Sequence, residues 1–173
     1  MNTIEAIRTR RSVRSYKSDM PTDAGIKLVM EAGINAPTGR NSQSVIVIAI
    51  KDKETRDRYS RANAAVTGDG ADRDPFYGAP VVLAVLVRAD APCAAYDGPI
   101  ALGHMMLAAH EIGLASCWIH RAKEVFETEE WKRWLRDVGV EGEYIGVGNL
   151  ALGYIEGEYP PAKEKNAGRM FTV

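Results

Sequence analysis

Along the first fifty residues the apolar positions pass from helical spacing to an unbroken run. Ile4, Ala6 and Ile7 give a short helix one apolar side, and Asn2 with Glu5 three positions later forms a capping box in front of it. Beyond Pro21-Thr22-Asp23, the residues Ile26, Val29, Met30 and Gly33 recur at three- and four-residue steps. That spacing predicts a second helix, which Pro37 ends because the residue before a proline is pushed out of the helical region. Val45-Ile46-Val47-Ile48-Ala49-Ile50 then runs without a polar break, the pattern of a strand covered on both faces. Val81-Val82-Leu83-Ala84-Val85-Leu86-Val87 repeats it. Ser116-Cys117-Trp118-Ile119 reads as a third, short strand, and residues 144–154 as a fourth.

Helical patterns separate these strands. Asp52 caps a segment whose residues 53–61 are mostly charged and therefore expected at the surface. Residues 67–79 read as a loop carrying two aromatics, Phe76 and Tyr77. Asp97 is expected to cap a long helix, with Pro99 in the first turn where its missing N–H costs little. From 100 to 114 that helix is apolar almost all round, which predicts a central position. Thr128 caps a further helix carrying Trp131, Trp134, Leu135 and Val138, and Gly139 suits its end. No repeat or linker divides residues 1–173, so one domain is expected: α+β, a mostly buried sheet of four or five strands with helices on both faces.

Composition narrows the class. The 173 residues are 46% hydrophobic and 26% charged, and 22 Lys+Arg against 23 Asp+Glu leave a net charge of −1. A general nucleic-acid binder would carry a basic excess, so no nucleic-acid partner is expected. No apolar run nears the ~20 residues of a membrane-spanning helix, so no membrane partner is expected either. Met1-Asn2-Thr3-Ile4-Glu5 lacks the basic segment and apolar core of a secretory signal. Cys93 and Cys117 form no CxxC pair, and a cytoplasmic setting with packed thiols fits them.

The densest chemical signal is Arg10-Arg11-Ser12-Val13-Arg14. Three guanidinium groups and a hydroxyl within five residues make an anion cradle, since arginine presents forked donors matching phosphate oxygens. A solvated charge run is the alternative, but Val13 turns part of the stretch inward, and the basic tail of Lys163, Lys165 and Arg169 offers the same anion another cation. The second signal is the turn-rich stretch 37–44, where Asn41 and Gln43 offer amides and Thr38-Gly39 allows close backbone approach. It suits a flat heteroaromatic edge with alternating donors and acceptors. Gly146-Val147-Gly148-Asn149-Leu150-Ala151 has the letters of a dinucleotide fingerprint, but the chain continues strand-like instead of opening a helix, so close strand packing is the better reading. His104 and His110 stand on different faces of one helix, and His110-Glu111 has Leu114 where a zinc site needs a second histidine, so no metal is expected. No GxSxG turn is present, and no side chain is singled out as a catalytic group.

In order and spacing, these pieces resemble the short form of the FMN-dependent nitroreductase family. The resemblance rests on Arg10-Arg11-Ser12-Val13-Arg14-Ser15-Tyr16, Ala36-Pro37-Thr38-Gly39-Arg40-Asn41-Ser42-Gln43, Gly78-Ala79-Pro80-Val81-Val82, Gly113-Leu114-Ala115-Ser116-Cys117-Trp118-Ile119-His120-Arg121 and Leu152-Gly153-Tyr154 with its basic tail. It implies a three-layer α/β/α sandwich around a mostly antiparallel sheet. It also implies that Arg10, Arg11, Ser12 and Arg14 hold the FMN phosphate and one ring edge. The loop of Pro37, Thr38, Gly39, Asn41 and Gln43 would reach the flavin of the other subunit of a homodimer. Ile119, His120 and Arg121 would present backbone N–H groups towards N5 and O4, and Lys163 or Lys165 would complete the phosphate site. The implied activity is NAD(P)H-dependent reduction of nitroaromatics, quinones or similar flat acceptors with ping-pong turnover. The sequence departs from the family's pattern at Ser44-Val45, Gly103-His104 and Lys163-Glu164-Lys165. Alternatives are a flavin reductase or reductive dehalogenase, or a non-catalytic module that binds a nucleotide or another anion.

Overall fold

The computed structural model describes residues 2–68 and 73–173, so residues 69–72 of the expected 67–79 loop lie outside the described residues. Four helices begin where a polar side chain can accept from the first turn: α1 (Thr3–Thr9) at Asn2, α2 (Asp23–Ile34) at Thr22, α3 (Lys53–Thr67) at Asp52 and α6 (Glu129–Asp137) at Thr128. The remaining helices are α4 (Ala94–Glu111) and the short α5 (Ala122–Phe126). The strands β1 (Val45–Ile50), β2 (Val81–Arg88), β3 (Ala115–Ile119) and β4 (Tyr144–Gly153) form one sheet in the order β1-β2-β4-β3, with every neighbouring pair antiparallel.

Alternation along β2 builds both cores at once. Val82, Ala84 and Leu86 face a core closed by α3, α5 and α6, where Tyr59, Phe76, Phe126 and Trp131 are buried. Val81, Leu83, Val85 and Val87 face the opposite core under α2 and α4, with Val29, Leu102 and Met105. The result is the expected three-layer α+β sandwich. β1 also has both faces packed, but it is an edge strand, and its four middle residues are only partly buried. In place of a fifth strand there are two single bridges, Ser12 to Ser116 and Tyr16 to Ile155. Gly146 shows why the glycines of β4 are needed: a Cβ there would strike the backbone of Ala122.

Three expectations need correction. Residues 53–61 are not all at the surface, because Arg56 and Tyr59 of α3 are buried. Arg56 pairs with Asp74 and donates to the Ala79 carbonyl at 3.0 Å, while the Tyr59 hydroxyl donates to Asn149 at 2.6 Å. The long helix starts at Ala94, so Asp97 lies inside it and caps nothing; its carboxylate accepts from the Gly39 N–H and the Ser44 hydroxyl instead. Nor is α4 central on every side, because Tyr96, Ile100 and His104, at helical spacing, are exposed. Among the described residues no helix is long and apolar enough to cross a membrane.

Candidate functional site

Arg11 closes the end of α1, its Nη1 donating to the carbonyls of Arg8 (2.9 Å) and Arg10 (2.8 Å). The chain then runs beside the outer edge of β3, where the Val13 N–H donates to the Ser116 carbonyl at 3.1 Å. Val13 and Tyr16 turn into the core, as the break in the charge run requires, and the Tyr16 hydroxyl donates to the Val13 carbonyl at 2.9 Å. Arg14 is exposed, with its guanidinium 5.9 Å from the centre of the Tyr77 ring. Arg10 differs from both. Its Nη1 is buried and has no hydrogen-bond partner among the described residues. A charged donor withdrawn from water without an acceptor is strongly unfavourable, so this cradle is suited to an anion.

Neighbouring groups register the positive field. Burial, then Arg10 and Arg11, hold the His110 imidazole below its ordinary pKa. Burial pushes the Cys117 thiol up, with Arg14, a Ser12 hydrogen bond and Arg10 acting in the opposite direction. Burial likewise raises the Tyr159 hydroxyl against the pull of Arg10. The His110 Nε2 lies 2.8 Å from the Thr9 hydroxyl, and its Nδ1 lies 3.4 Å from that of Tyr159. Tyr159 thereby brings the start of the C-terminal segment to the cradle. Lys163 and Lys165 are exposed, and among the described residues no hydrogen bond or ion pair ties either to the arginines.

The stretch 37–44 forms a tight loop containing a 3-10 turn, Gly39–Asn41. The Thr38 hydroxyl accepts from the Gln43 N–H at 3.0 Å, and the Thr38 carbonyl accepts from the Asn41 N–H at 3.0 Å. Arg40, Asn41 and Gln43 have φ of 56°, 53° and 48°, a left-handed backbone uncommon outside glycine. Asn41 and Gln43 are exposed, and with Pro37 and Thr38 they line a hollow of about 370 Å³.

Ile119, which ends β3, and the following His120 and Arg121 line a second cavity of about 220 Å³ with Tyr77 and Trp118. Tyr77 therefore joins this segment to Arg14 of the cradle. Arg121 has φ 83° and opens α5 with no side-chain cap, turning the chain sharply just beyond His120. Sequence reasoning missed His110, Tyr159 and Tyr77 as neighbours of the cradle.

The cradle and the 37–44 loop stand at opposite ends of α4. Thr9 meets α4 at His110, whereas Gly39 meets it at Asp97. Thirteen residues at 1.5 Å of rise separate these contacts by about 20 Å. One chain thus brings the first and third motifs together and holds the second well away.

The sequence profile of the nitroreductase family matches residues 7–154. An FMN-bound nitroreductase from Bacteroides fragilis superposes with a TM-score of 0.87 at 28% identity, covering 100% of this chain and 99% of the other. An FMN-bound nitroreductase from Desulfitobacterium hafniense gives 0.84 at 25% identity, covering 100% of both chains. A protein of Archaeoglobus fulgidus, provisionally described as an NADH dehydrogenase/NAD(P)H nitroreductase, is 27% identical over 163 residues, 90% of this chain and 86% of its own length. With its motifs in order on this sandwich, the chain belongs to the nitroreductase family.

Proposed function

We propose that the protein is an FMN-dependent oxidoreductase that takes reducing equivalents from NAD(P)H and reduces small, flat, electron-poor acceptors such as nitroaromatics or quinones, acting in the cytoplasm as a homodimer. The observation that carries this reading is the Arg10 Nη1 near Ser12 and Arg14 in the chain, buried and without a partner among the described residues. FMN fits the chemistry of the donor set. Its doubly charged phosphate matches the forked arginine donors, with Arg11, Lys163 and Lys165 adding positive charge at longer reach. The amides of Asn41 and Gln43 match a ring edge of alternating donors and acceptors, with Pro37, Thr38 and Gly39 shaping their approach. The backbone of Ile119, His120 and Arg121 would hold the N5 and O4 edge. Bound there, FMN would supply the two-electron exchange between nicotinamide and acceptor. The chain's part is to bind and orient, which agrees with the lack of a nucleophile or acid–base pair in its motifs.

The homodimer rests on the separation along α4. A flavin whose phosphate lies in the Arg10 cradle is far from the same chain's 37–44 loop, and a second copy can bring its own loop instead. The surface agrees: Ile4 and Ile7 on α1, Leu28 and Ile34 on α2, and Tyr96 and Ile100 on α4 are all exposed. These helices pack on one another, α1 and α2 both against α4. Such a patch of apolar side chains is what a self-complementary two-fold interface covers.

The test is kinetic. If donor and acceptor use one ring face in turn, double-reciprocal plots at several acceptor concentrations are parallel. Intersecting lines would indicate a ternary complex and contradict the shared face. A protein that stays colourless with added FMN would remove the reading altogether.

A further inference from the structure

Asp97 is 2% exposed, yet among the described residues no ion pair reaches it. Both carboxylate oxygens are used, and both on the same loop: Oδ1 accepts from the Gly39 N–H at 2.9 Å and Oδ2 from the Ser44 hydroxyl at 2.9 Å. Ser44 is itself fixed, since its carbonyl accepts from the Arg88 N–H at the end of β2 at 2.9 Å. At the other contact, Gly39 lies so close to Cys93 at the start of α4 that a Cβ would collide with the thiol. Between these two anchors stand Arg40, Asn41 and Gln43 with their left-handed backbone. Such a run persists only where its surroundings over-determine it. A carboxylate also costs more to bury than an apolar side chain of its size, so sandwich packing does not account for it.

We propose that Asp97 is a positioning residue, whose carboxylate holds the 37–44 loop in the one backbone that presents Asn41 and Gln43 to the flavin ring. This rests on the flavin reading given above. The loop needs no rearrangement when the ring arrives, so the ordering cost of binding is already met in the free protein. The loop touches the ring and the Arg10 cradle touches the phosphate, so damage to each has its own signature.

The experiment is equilibrium titration of the dimer, at fixed protein concentration, with FMN and with riboflavin, which lacks the phosphate. Asp97→Ala is expected to weaken both flavins alike, by about tenfold, and Ser44→Ala by about threefold, the scale of one or two lost hydrogen bonds. Asp97→Asn is expected to stay within about twofold of wild type. Its amide oxygen can accept from Gly39 and its NH₂ can donate to the Ser44 hydroxyl. A role in stability alone would lower the melting temperature but leave the affinity of the folded protein unchanged. Unchanged riboflavin affinity in Asp97→Ala and Ser44→Ala would therefore overturn the proposal. If Asp97→Ala does not fold, Ser44→Ala decides by the same criterion. A wild-type protein that binds neither flavin would instead overturn the flavin reading, and this role with it.

Discussion

Arg10→Ala is expected to weaken FMN binding by about 1.5–3 kcal/mol, roughly 10- to 150-fold, and to leave riboflavin binding nearly untouched. The size follows from a charge-assisted contact made in a partly desolvated cradle. The selectivity follows from chemistry, because Arg10 is assigned to the phosphate, which riboflavin lacks. The same substitution should not weaken the empty fold. Among the described residues Nη1 has no partner, so alanine removes a buried, unsatisfied donor and relieves a cost. Titration with the two flavins, together with thermal melts of the apoprotein, checks both parts. Equal losses for FMN and riboflavin would take Arg10 away from the phosphate.

A still larger effect on stability is expected at Asp74. This carboxylate accepts from Ser60 (2.7 Å) and from the N–H groups of Phe76 (3.0 Å) and Gly78 (2.8 Å), and it pairs with Arg56, whose side chain is 10% exposed. Asp74→Ala leaves that guanidinium buried with only Asp57, among the described residues, to balance its charge, a loss of about 3 kcal/mol or more. For a chain of this size that lowers the melting temperature by about 6–12 °C. Burial works against the charged form of Asp74, but the hydrogen bonds from Ser60, Arg56, Phe76 and Gly78 outweigh it and hold the carboxyl below the usual range. A depressed carboxylate contributes stability above its unfolded pKa of about 3.9 and loses it as the pH falls through the lower folded value. Wild-type stability should thus decline below about pH 4, and the decline should be shallower in Asp74→Ala. Denaturant melts at neutral and acid pH read both. The site shares in the loss, because the 74–78 turn carries Tyr77 beneath Arg14.

How much of this was legible in the sequence depended on range. The caps at Asn2, Asp52 and Thr128 act within three residues, and each side chain accepts where local pattern placed it. The inward turn at Val13 was readable for the same reason. Asp97 was misread because an aspartate two residues before a proline has the local form of a helix start, whereas its partners lie 58 and 53 residues away. Arg56 looked like one more surface charge, since nothing near it announces Asp74, 18 residues on. The contacts of His110 with Thr9 and Tyr159 span 101 and 49 residues and leave no trace in periodicity. The cradle and the polar loop were visible as composition, but their separation along α4 was not. That separation is what the proposed two-chain site rests on.

In the proposed dimer, one flavin site is built by two copies of this chain. Sedimentation equilibrium of the FMN-loaded protein, followed by flavin absorbance over a wide range of dilution, tests it most directly. Flavin is expected to sediment with a species of twice 18.9 kDa. On dilution, dissociation to single chains and release of FMN should occur together, because each stabilises the other by mass action. Flavin that stays bound to a species of 18.9 kDa would contradict the claim, since one chain would then be building the whole site.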